Sequence, residues 1–244
     1  MIAKKNILPF AFPLCEAEIR LKRAEILALL LAIDPAFCSL PVRGIDESTL
    51  RRMFERYDAL FLNGYLSRTY TEIKLSLSSR LISSAGKFIY TRSPLRRLKC
   101  AEIRISEDFL TRLIQGPFEL NGLCAATPQE AFLMVFEHEL CHAIETGLYG
   151  ETGHSSRFLS LANGLFGHTG TRHNLPTRKA EAAQRGLTVG KHVSFRFQGE
   201  RLTGIITYVG KTATVMVASP RGEYRDRRGR RFSKYRVPLN EILP

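Results

Sequence analysis

The sequence lacks the cysteine pairs on which small disulfide-bonded proteins and zinc ribbons depend. Its five cysteines stand at positions 15, 38, 100, 124 and 141, and no two of them form a Cys-x-x-Cys pair. An odd number without paired spacing argues against a disulfide framework and against a zinc ribbon. Such cysteine usage is typical of a reducing compartment, so we expect a cytoplasmic protein.

Long apolar runs are also missing. The run at residues 24–33 is broken by Glu25, and it falls far short of the roughly 20 residues that cross a bilayer. Residues 7–15 are apolar but contain two prolines and no small-residue cleavage site, so export is not expected. We therefore predict no membrane partner.

Acidic residues are scarce relative to basic ones. The 244 residues include 36 Lys and Arg against 23 Asp and Glu, which gives a net charge of +13 and a pI near 9.8. Such an excess points to a polyanion, most often a nucleic acid. A basic surface without a partner, or one that meets anionic lipid, stays open. The hydrophobic content of 44% is enough for a proper core.

A metal-binding pattern is present at residues 138–142, which read His-Glu-Leu-Cys-His. Residues 127–130 resemble a capping box with proline at the first helical position, and an apolar stretch follows, so a buried helix is predicted. His138 and His142 then share one helix face and can bind one metal ion, for which zinc is the first choice. Glu139 lies beside the metal and suits a general base.

A third ligand is required, and the chain offers several. His154 is the nearest histidine, follows a glycine-rich turn and opens another helical stretch at 155–165. A helix–turn–helix would return it to the metal, so His154 is favoured. His168 and His173 are alternatives, and Glu145 is a weaker carboxylate candidate.

The metal motif and its surroundings resemble the SprT-like zinc metalloprotease family. That family pairs His-Glu-x-x-His with a third histidine that heads a short His-Gly-x-x-Phe motif; here His154 and Phe158 fit, and Ser155 replaces the glycine. Residues 50–66 resemble the family's opening helix, and residues 84–86 and 103–106 resemble its small sheet. The resemblance covers about residues 46–175. It implies one zinc ion per chain and protein substrates on DNA, including crosslinked protein.

The remainder of the chain divides by pattern. Helices are predicted at 16–34, 48–62 and 107–113, and strands at 70–78, 83–89 and 101–105. Residues 91–99 are predicted to form an exposed loop whose cations could touch phosphate or substrate: Arg92, Arg96, Arg97 and Lys99. The expected organisation is an N-terminal helical extension at 1–45, a metallopeptidase domain at 46–175, a polar linker at 176–187 and a basic β-barrel at 188–244.

The last segment changes to a period of two and loosely resembles KOW or SH3-like modules. Residues 188–244 carry 12 Lys and Arg against 4 Asp and Glu, a net +8 of the chain's +13. Arginine forks grip phosphate and aromatic rings stack on bases, so a nucleic-acid contact is favoured over a solvated hairpin. The predicted contact residues are Arg225, Arg227, Arg228, Arg230, Arg231, Lys234 and Tyr235.

The predicted fold class is α+β: a small β-sheet with a zincin-type helical metal site, followed by a small all-β SH3-like barrel. The predicted function is a zinc metalloendopeptidase acting on proteins bound or crosslinked to DNA, with DNA favoured over RNA. RNA or ribosomal substrates stay open, because bacterial prototypes of the family end in a zinc-ribbon-like tail and this sequence has no cysteine after Cys141. The alternative function is a non-catalytic nucleic-acid-binding adaptor whose zinc site is structural or idle.

Overall fold

A computed structural model describes residues 8–40, 42, 44–82, 84–92, 98–172, 175 and 178–243. The chain divides into two compact units, Met1–Leu175 and Pro176–Pro244. Each unit has its own hydrophobic core and is described by itself.

Among the described residues, the first unit contains six helices and five strands. The helices are α1 (Glu16–Ile33), α2 (Glu47–Leu62), α3 (Tyr65–Thr69), α4 (Glu107–Leu110), α5 (Pro128–Tyr149) and α6 (Ser156–Phe166). The strands are β1 (Glu72–Ser78), β2 (Gly86–Arg92), β3 (Leu98–Ser106), β4 (Phe118–Leu120) and β5 (Leu123–Ala125).

Three of these strands form one sheet in the order β1-β3-β2. β1 runs parallel to β3 and β2 runs antiparallel to it, so β2 lies at an edge. Ile73 and Leu75 of β1 alternate with exposed residues and point into the core, as a half-buried strand requires. β4 and β5 form a separate two-stranded hairpin.

Helix α5 is the centre of the first unit. Thr127 caps its N-terminus by accepting the amide of Glu130 at 3.2 Å, and Pro128 occupies the first turn, which confirms the predicted capping box. Its apolar residues are buried nearly all round, because α1, α3, α6, the sheet and the hairpin pack against it, and Tyr57 of α2 lies against Phe136. The helix ends at Gly150, whose φ of 76° is the left-handed conformation that glycine adopts readily.

The N-terminal helix α1 belongs to the same core. Ile26 and Leu30 are fully buried in it. Upstream of the helix, the Phe12 ring lies so close to Gly164 of α6 that a Cβ there would come within 2.3 Å of it. The predicted helical extension thus packs on the rest of the first unit: α1 lies against α2 and α5, and Phe12 lies against α6.

The second unit consists of α7 (Arg178–Gln184), five antiparallel strands and a closing 3-10 turn at Leu239–Glu241. The strands are β6 (His192–Phe197), β7 (Glu200–Val209), β8 (Thr212–Ala218), β9 (Tyr224–Arg225) and β10 (Arg231–Pro238). Their order is β6-β7-β8-β10-β9. Leu243 bridges back to Ser194 at the β6 edge. The sheet is consistent with an SH3-like barrel, and the KOW resemblance stays a prediction.

Several predicted elements differ from the structure. The segment 176–187, expected to be a polar linker, contains α7, because Ala182 and Leu187 are buried in the second core. The metal helix continues past Gly147, where a Cβ would meet the hydroxyl of Tyr65 at 2.8 Å. Helix α3 and the β4–β5 hairpin are too short for their periodicity to have been recognised.

Within the described ranges, no helix combines the length and the apolar character that a membrane crossing requires.

Candidate metal centre

Helix α5 presents His138 and His142 side by side. They are four residues apart, so they lie one turn apart on the same face, and their ring centroids are separated by 4.9 Å. Both side chains are partly buried at the mouth of a cleft of about 340 Å³. The helix therefore supplies two of the three histidines in the centre.

His154 joins them from the turn between α5 and α6. The left-handed Gly150 ends α5, and Ser155 caps α6 by accepting the amide of Phe158 at 3.5 Å. This reversal places Nε2 of His154 3.0 Å from Nε2 of His138. The Phe158 ring supports the cluster, with centroids 4.5–5.0 Å from all three imidazoles.

The three histidines fit a tetrahedral metal ion. One ring nitrogen from each lies within 4.8 Å of the others. Nitrogens bound to one zinc at about 2.0–2.1 Å would lie roughly 3.3 Å apart, so only small side-chain adjustments are needed. Burial, and then the neighbouring His154, lower the pKa of His142 to about 4, so its ring is neutral and able to bind a cation. Across the described residues, no other group of His, Cys, Asp and Glu meets this criterion.

A carboxylate behind the cluster fixes the orientation of His142. Nδ1 of His142 lies 2.7 Å from the hydroxyl of Thr152, and that hydroxyl donates to Glu145 at 2.9 Å. The hydroxyl proton is used on Glu145, so Thr152 accepts from Nδ1–H and leaves Nε2 of His142 for a metal. Such outer contacts set the tautomer and basicity of metal-binding histidines.

Glu145 also holds the turn that carries His154. Its carboxylate accepts the amide of Gly153 and the hydroxyl of Ser155, both at 3.0 Å. The side chain is 1% exposed and all its described contacts are with this turn and Thr152. The expectation of Glu145 as a possible ligand is therefore corrected: it positions the histidines and is absent from the cluster itself.

Glu139 lies on the other side of the cleft, against strand β2. It is 5% exposed, and a Cβ on Gly86 would come within 2.6 Å of its carboxylate. Burial raises the pKa of Glu139 to about 8, and a backbone hydrogen bond from Phe88 only partly opposes that shift. A carboxyl with a pKa near neutrality beside a metal site is suited to accept and return a proton.

The two other candidate histidines do not reach the cluster in the described structure. His168 is 1% exposed, and its Nε2 lies 2.9 Å from the carboxylate of Glu137. It is held on the opposite side of α5, so its expectation as an alternative ligand is corrected. His173 lies outside the described residues.

The Glu137 carboxylate is the centre of a buried network on the back of α5. Arg23 of α1 binds it with two hydrogen bonds of 2.8 and 2.9 Å, and the hydroxyl of Tyr57 donates to it at 2.8 Å. Burial raises the pKa of Glu137, but Arg23 and His168 outweigh it and hold that pKa at about 2. The network ties α1 to the helix that carries the metal ligands.

Sequence reasoning missed Thr152, Gly86 and Arg23. Thr152 stands two residues before His154, and that proximity is the one signal that could have drawn attention to it. Gly86 lies 53 positions before Glu139 and Arg23 lies 114 before Glu137. The contacts of Gly86 with Glu139 and of Arg23 with Glu137 join residues far apart in sequence, so no local periodicity predicts them.

The predicted nucleic-acid residues lie on the β9–β10 hairpin of the second unit. Arg225, Arg227 and Arg228 are exposed, as are Arg230, Arg231 and Lys234. The turn is closed by Asp226, which accepts from the side chain of Arg230 at 2.7 Å, and Nε of Arg231 donates to the carbonyl of Gly222 at 2.9 Å.

Tyr235 does not lie with these cations. It pairs with Val215 on the inner side of the sheet, and its ring contacts Phe195 and Phe197 at centroid distances of 5.4 and 5.1 Å. Strand alternation turns its half-buried side chain toward the core, on the face opposite Lys234, and its role in nucleic-acid contact stays a prediction. Arg96 and Arg97 of the predicted basic loop lie outside the described residues, and the side chains of Arg92 and Lys99 are not described.

A helix-borne histidine pair, a third histidine and an adjacent buried carboxyl define a site that could hold a metal. A comparison with known families matches residues 50–179 to the SprT-like family. The match covers more than half of the chain, and the protein belongs to the SprT-like family, which is a family of zinc metalloproteases. No curated protein matches the chain.

Proposed function

We propose that the protein is a zinc-dependent endopeptidase whose metal is held by His138, His142 and His154. The observation that carries this proposal is the buried carboxyl of Glu139, which lines the same cleft as the three histidines. When bound, zinc supplies a Lewis acid that acidifies water and polarises a carbonyl group. A site that served structure alone would gain nothing from a carboxyl buried beside it without a counter-ion among the described residues.

The residues around the proposed metal site have separate tasks. Glu139 takes a proton from the attacking water and returns it to the leaving amine. Thr152 and Glu145 hold His142 in the required tautomer. Backbone groups of the edge strand β2, whose residues Gly86–Phe88 line the cleft, are placed to pair with an extended peptide.

The proposed natural substrates are proteins bound or crosslinked to DNA. The SprT-like family membership supports this substrate class, and so does the second unit, whose residues 188–244 carry a net charge of +8. An open peptidase site endangers any protein that enters it. Tethering to a polyanion raises the local concentration of bound proteins and restricts cleavage to them. All five cysteines are free thiols, which supports a reducing, cytoplasmic setting.

The direct test combines metal analysis with a chelator-sensitive cleavage assay. The purified chain is expected to hold about one zinc, as a single three-histidine site implies. His154→Ala should empty the site, whereas His168→Ala should leave its zinc content unchanged. Zinc retained by His154→Ala and lost by His168→Ala would overturn the ligand set. A chain that binds zinc and cleaves nothing, with or without DNA, would favour the adaptor function.

The tether is tested with the hairpin variant Arg227→Gln/Arg228→Gln. This pair spares Arg230 and Arg231, whose contacts close the turn. We expect weaker and less salt-dependent DNA binding. The slope of the logarithm of affinity against the logarithm of salt concentration should decrease in magnitude by about 0.7–0.9 per lost phosphate contact. Cleavage of a DNA-bound protein should fall while cleavage of a short free peptide stays the same. Equal DNA stimulation in both proteins would contradict the proposed tether.

A further inference from the structure

The outer face of the C-terminal sheet carries basic and aromatic side chains that take no part in packing the core. Cross-strand register sorts the side chains of β6, β7, β8 and β10 into two faces, because partners in an antiparallel pair point the same way. Val193, Ile206, Val215 and Val237 point inward and are buried. The residues next to each of them point outward, on the face opposite the core.

Every charged group at an outward position of these four strands is basic or a histidine. They are His192, Arg196, Arg201, Lys234 and Arg236. All five are exposed, and no acidic residue occupies an outward position in these strands, which are described along their whole length. The face is therefore complementary to a polyanion.

Aromatic rings lie among these cations. Tyr208 is 55% exposed and Tyr224 is 44% exposed. Tyr208 is in one cross-strand row with Thr214 and Arg236. Tyr224 pairs with Phe232 on the same face, and the ammonium of Lys234 lies 5.7 Å from the centroid of the Tyr224 ring. Exposed aromatic rings interleaved with cations on one sheet face are typical of surfaces on which bases stack.

Thr214, Met216 and Ala218 of β8 lie between β7 and β10 on the outward side, so no charged side chain of β8 separates the two tyrosines. Three strand spacings and four residues of β8 separate Tyr208 from Tyr224, which is roughly 14 Å across the strands and 13 Å along them. That distance suits a ligand of several repeating units better than a single small molecule.

We propose that this outer face binds single-stranded nucleic acid. Bases stack on Tyr208 and Tyr224, and phosphates lie against Lys234, Arg236 and Arg201. Rings can stack only on bases that are unpaired and accessible, whereas a duplex offers its phosphates and hides its base faces. Aromatic and cationic side chains alternating on one face therefore favour a single strand over a duplex.

The inference rests on the proposed nucleic-acid contact of the second unit and specifies its ligand and location. The hairpin arginines 227 and 228 provide charge without an aromatic partner, so they would hold a duplex or a single strand. The sheet face adds a preference for unpaired bases. In the full chain it would direct the peptidase to proteins on unpaired nucleic acid.

The experiment measures binding of labelled oligonucleotides of about 12 residues, within the 4–16 nucleotides that small single-strand-binding folds cover. Oligothymidylate, oligouridylate and a duplex of equal length are compared by fluorescence anisotropy with the full-length protein. The variants are Tyr208→Ala/Tyr224→Ala and Lys234→Gln/Arg236→Gln. The matched control is Arg52→Gln/Arg80→Gln, which removes two exposed cations from the first unit.

The tyrosine variant should lose single-strand affinity by on the order of tenfold per ring, with its salt slope and duplex affinity unchanged. The lysine–arginine variant should lose up to about 1.4 from its single-strand salt slope. The control should bind like wild type. Comparison of the thymidylate and uridylate strands tells DNA from RNA.

Single-strand binding that the tyrosine variant retains in full would overturn the sheet-face site while leaving the hairpin contact intact. Absence of all nucleic-acid binding at low salt would overturn both. Vesicles of anionic phospholipid serve as a competing ligand. If they bind more tightly than the oligonucleotides and lose affinity with the lysine–arginine variant, the face is a lipid surface and the proposal fails.

Discussion

Two glutamates flank His138 on helix α5, and they differ in almost everything except burial. Glu137 is 0% exposed and Glu139 is 5% exposed. Yet the pKa of Glu137 is held at about 2 and that of Glu139 is raised to about 8. Positions 137 and 139 are some 200° apart around the helix, so one side chain faces the back of the unit and the other faces the cleft.

The difference comes from their partners. Burial raises the pKa of both carboxyls, but Glu137 is met by Arg23, His168 and Tyr57, which stabilise its charge. Glu139 receives only a backbone hydrogen bond from Phe88 to oppose burial. In the metal-free protein, the same helix thus presents an ionised anchor on one side and a carboxyl that carries a proton near neutrality on the other. Separated pKa values of this kind mark groups with separate tasks.

The largest expected effect follows removal of the acceptor. Glu139→Gln should lower the rate of peptide cleavage by on the order of 10²–10⁴, because an amide cannot take the proton from water. Zinc content and the circular dichroism spectrum should match wild type. Glu55→Gln, which changes an exposed glutamate of α2, is the control. Full cleavage by purified Glu139→Gln would remove Glu139 from the mechanism.

Removal of a partner from the anchor should affect stability. Arg23→Met leaves a buried carboxylate without its main counter-ion, and we expect a loss of about 3–5 kcal/mol in the free energy of unfolding. Arg20→Met on the same helix should cost less than about 1 kcal/mol, since exposed ion pairs contribute little. Urea unfolding measures both.

The double variant Arg23→Met/Glu137→Gln sharpens that result. It removes both charges, so it should recover part of the stability lost by the single change. A double variant no more stable than Arg23→Met would indicate that Arg23 acts through packing on α5 and not through its charge.

The opposite pKa shifts predict different pH dependence in the metal-free protein. The pKa of Glu139 is about 8 in the folded state against 4.5 as its ordinary value. Wild type therefore loses stability as pH rises from about 5 to 8, by up to about 1.4 kcal/mol per pH unit, and Glu139→Gln does not.

Glu137 should show no such slope. Its folded pKa is about 2, so its contribution is fully present above the ordinary value and is lost only as pH falls toward 2. The difference in unfolding free energy between wild type and Glu137→Gln should be constant from pH 6 to 9. Urea titrations of both variants at several pH values make the comparison. If the unfolding free energies of Glu137→Gln and Glu139→Gln differ from wild type by the same amount at every pH, the environments of the two carboxyls are equivalent and the comparison fails.

The smallest expected effect concerns the support of the metal ligands. Thr152→Val breaks the link from His142 to Glu145, and we expect zinc affinity to fall by about 10–100-fold. Thr171→Val changes a threonine in the wall of the same cleft that has no part in that link, and it should bind zinc like wild type. Competition with a chromophoric chelator reports both affinities. Equal affinity for the two variants would show that the tautomer of His142 does not depend on Thr152.

The sequence by itself determined the parts of the site that follow from local geometry. Four-residue spacing puts His138 and His142 on one helix face, and the cap at Thr127 and the glycine at position 150 mark the ends of that helix. The approach of His154 followed from a short turn between two helical patterns. Helix period and turn chemistry act over a few residues, so they are visible in the order of amino acids.

The tertiary structure decided which groups meet across long separations. The local motif singles out Glu139 by its position, but the different pKa values of Glu137 and Glu139 depend on Arg23 and on strand β2, far away in sequence. Tyr235 and Tyr224 lie in the same basic, aromatic stretch of sequence, yet alternation and register pack the half-buried Tyr235 against the core and leave Tyr224 exposed. The segment predicted as a linker contains a helix because Ala182 and Leu187 are buried in the core of the second unit. Packing and desolvation depend on the whole fold, so composition and spacing alone do not fix them.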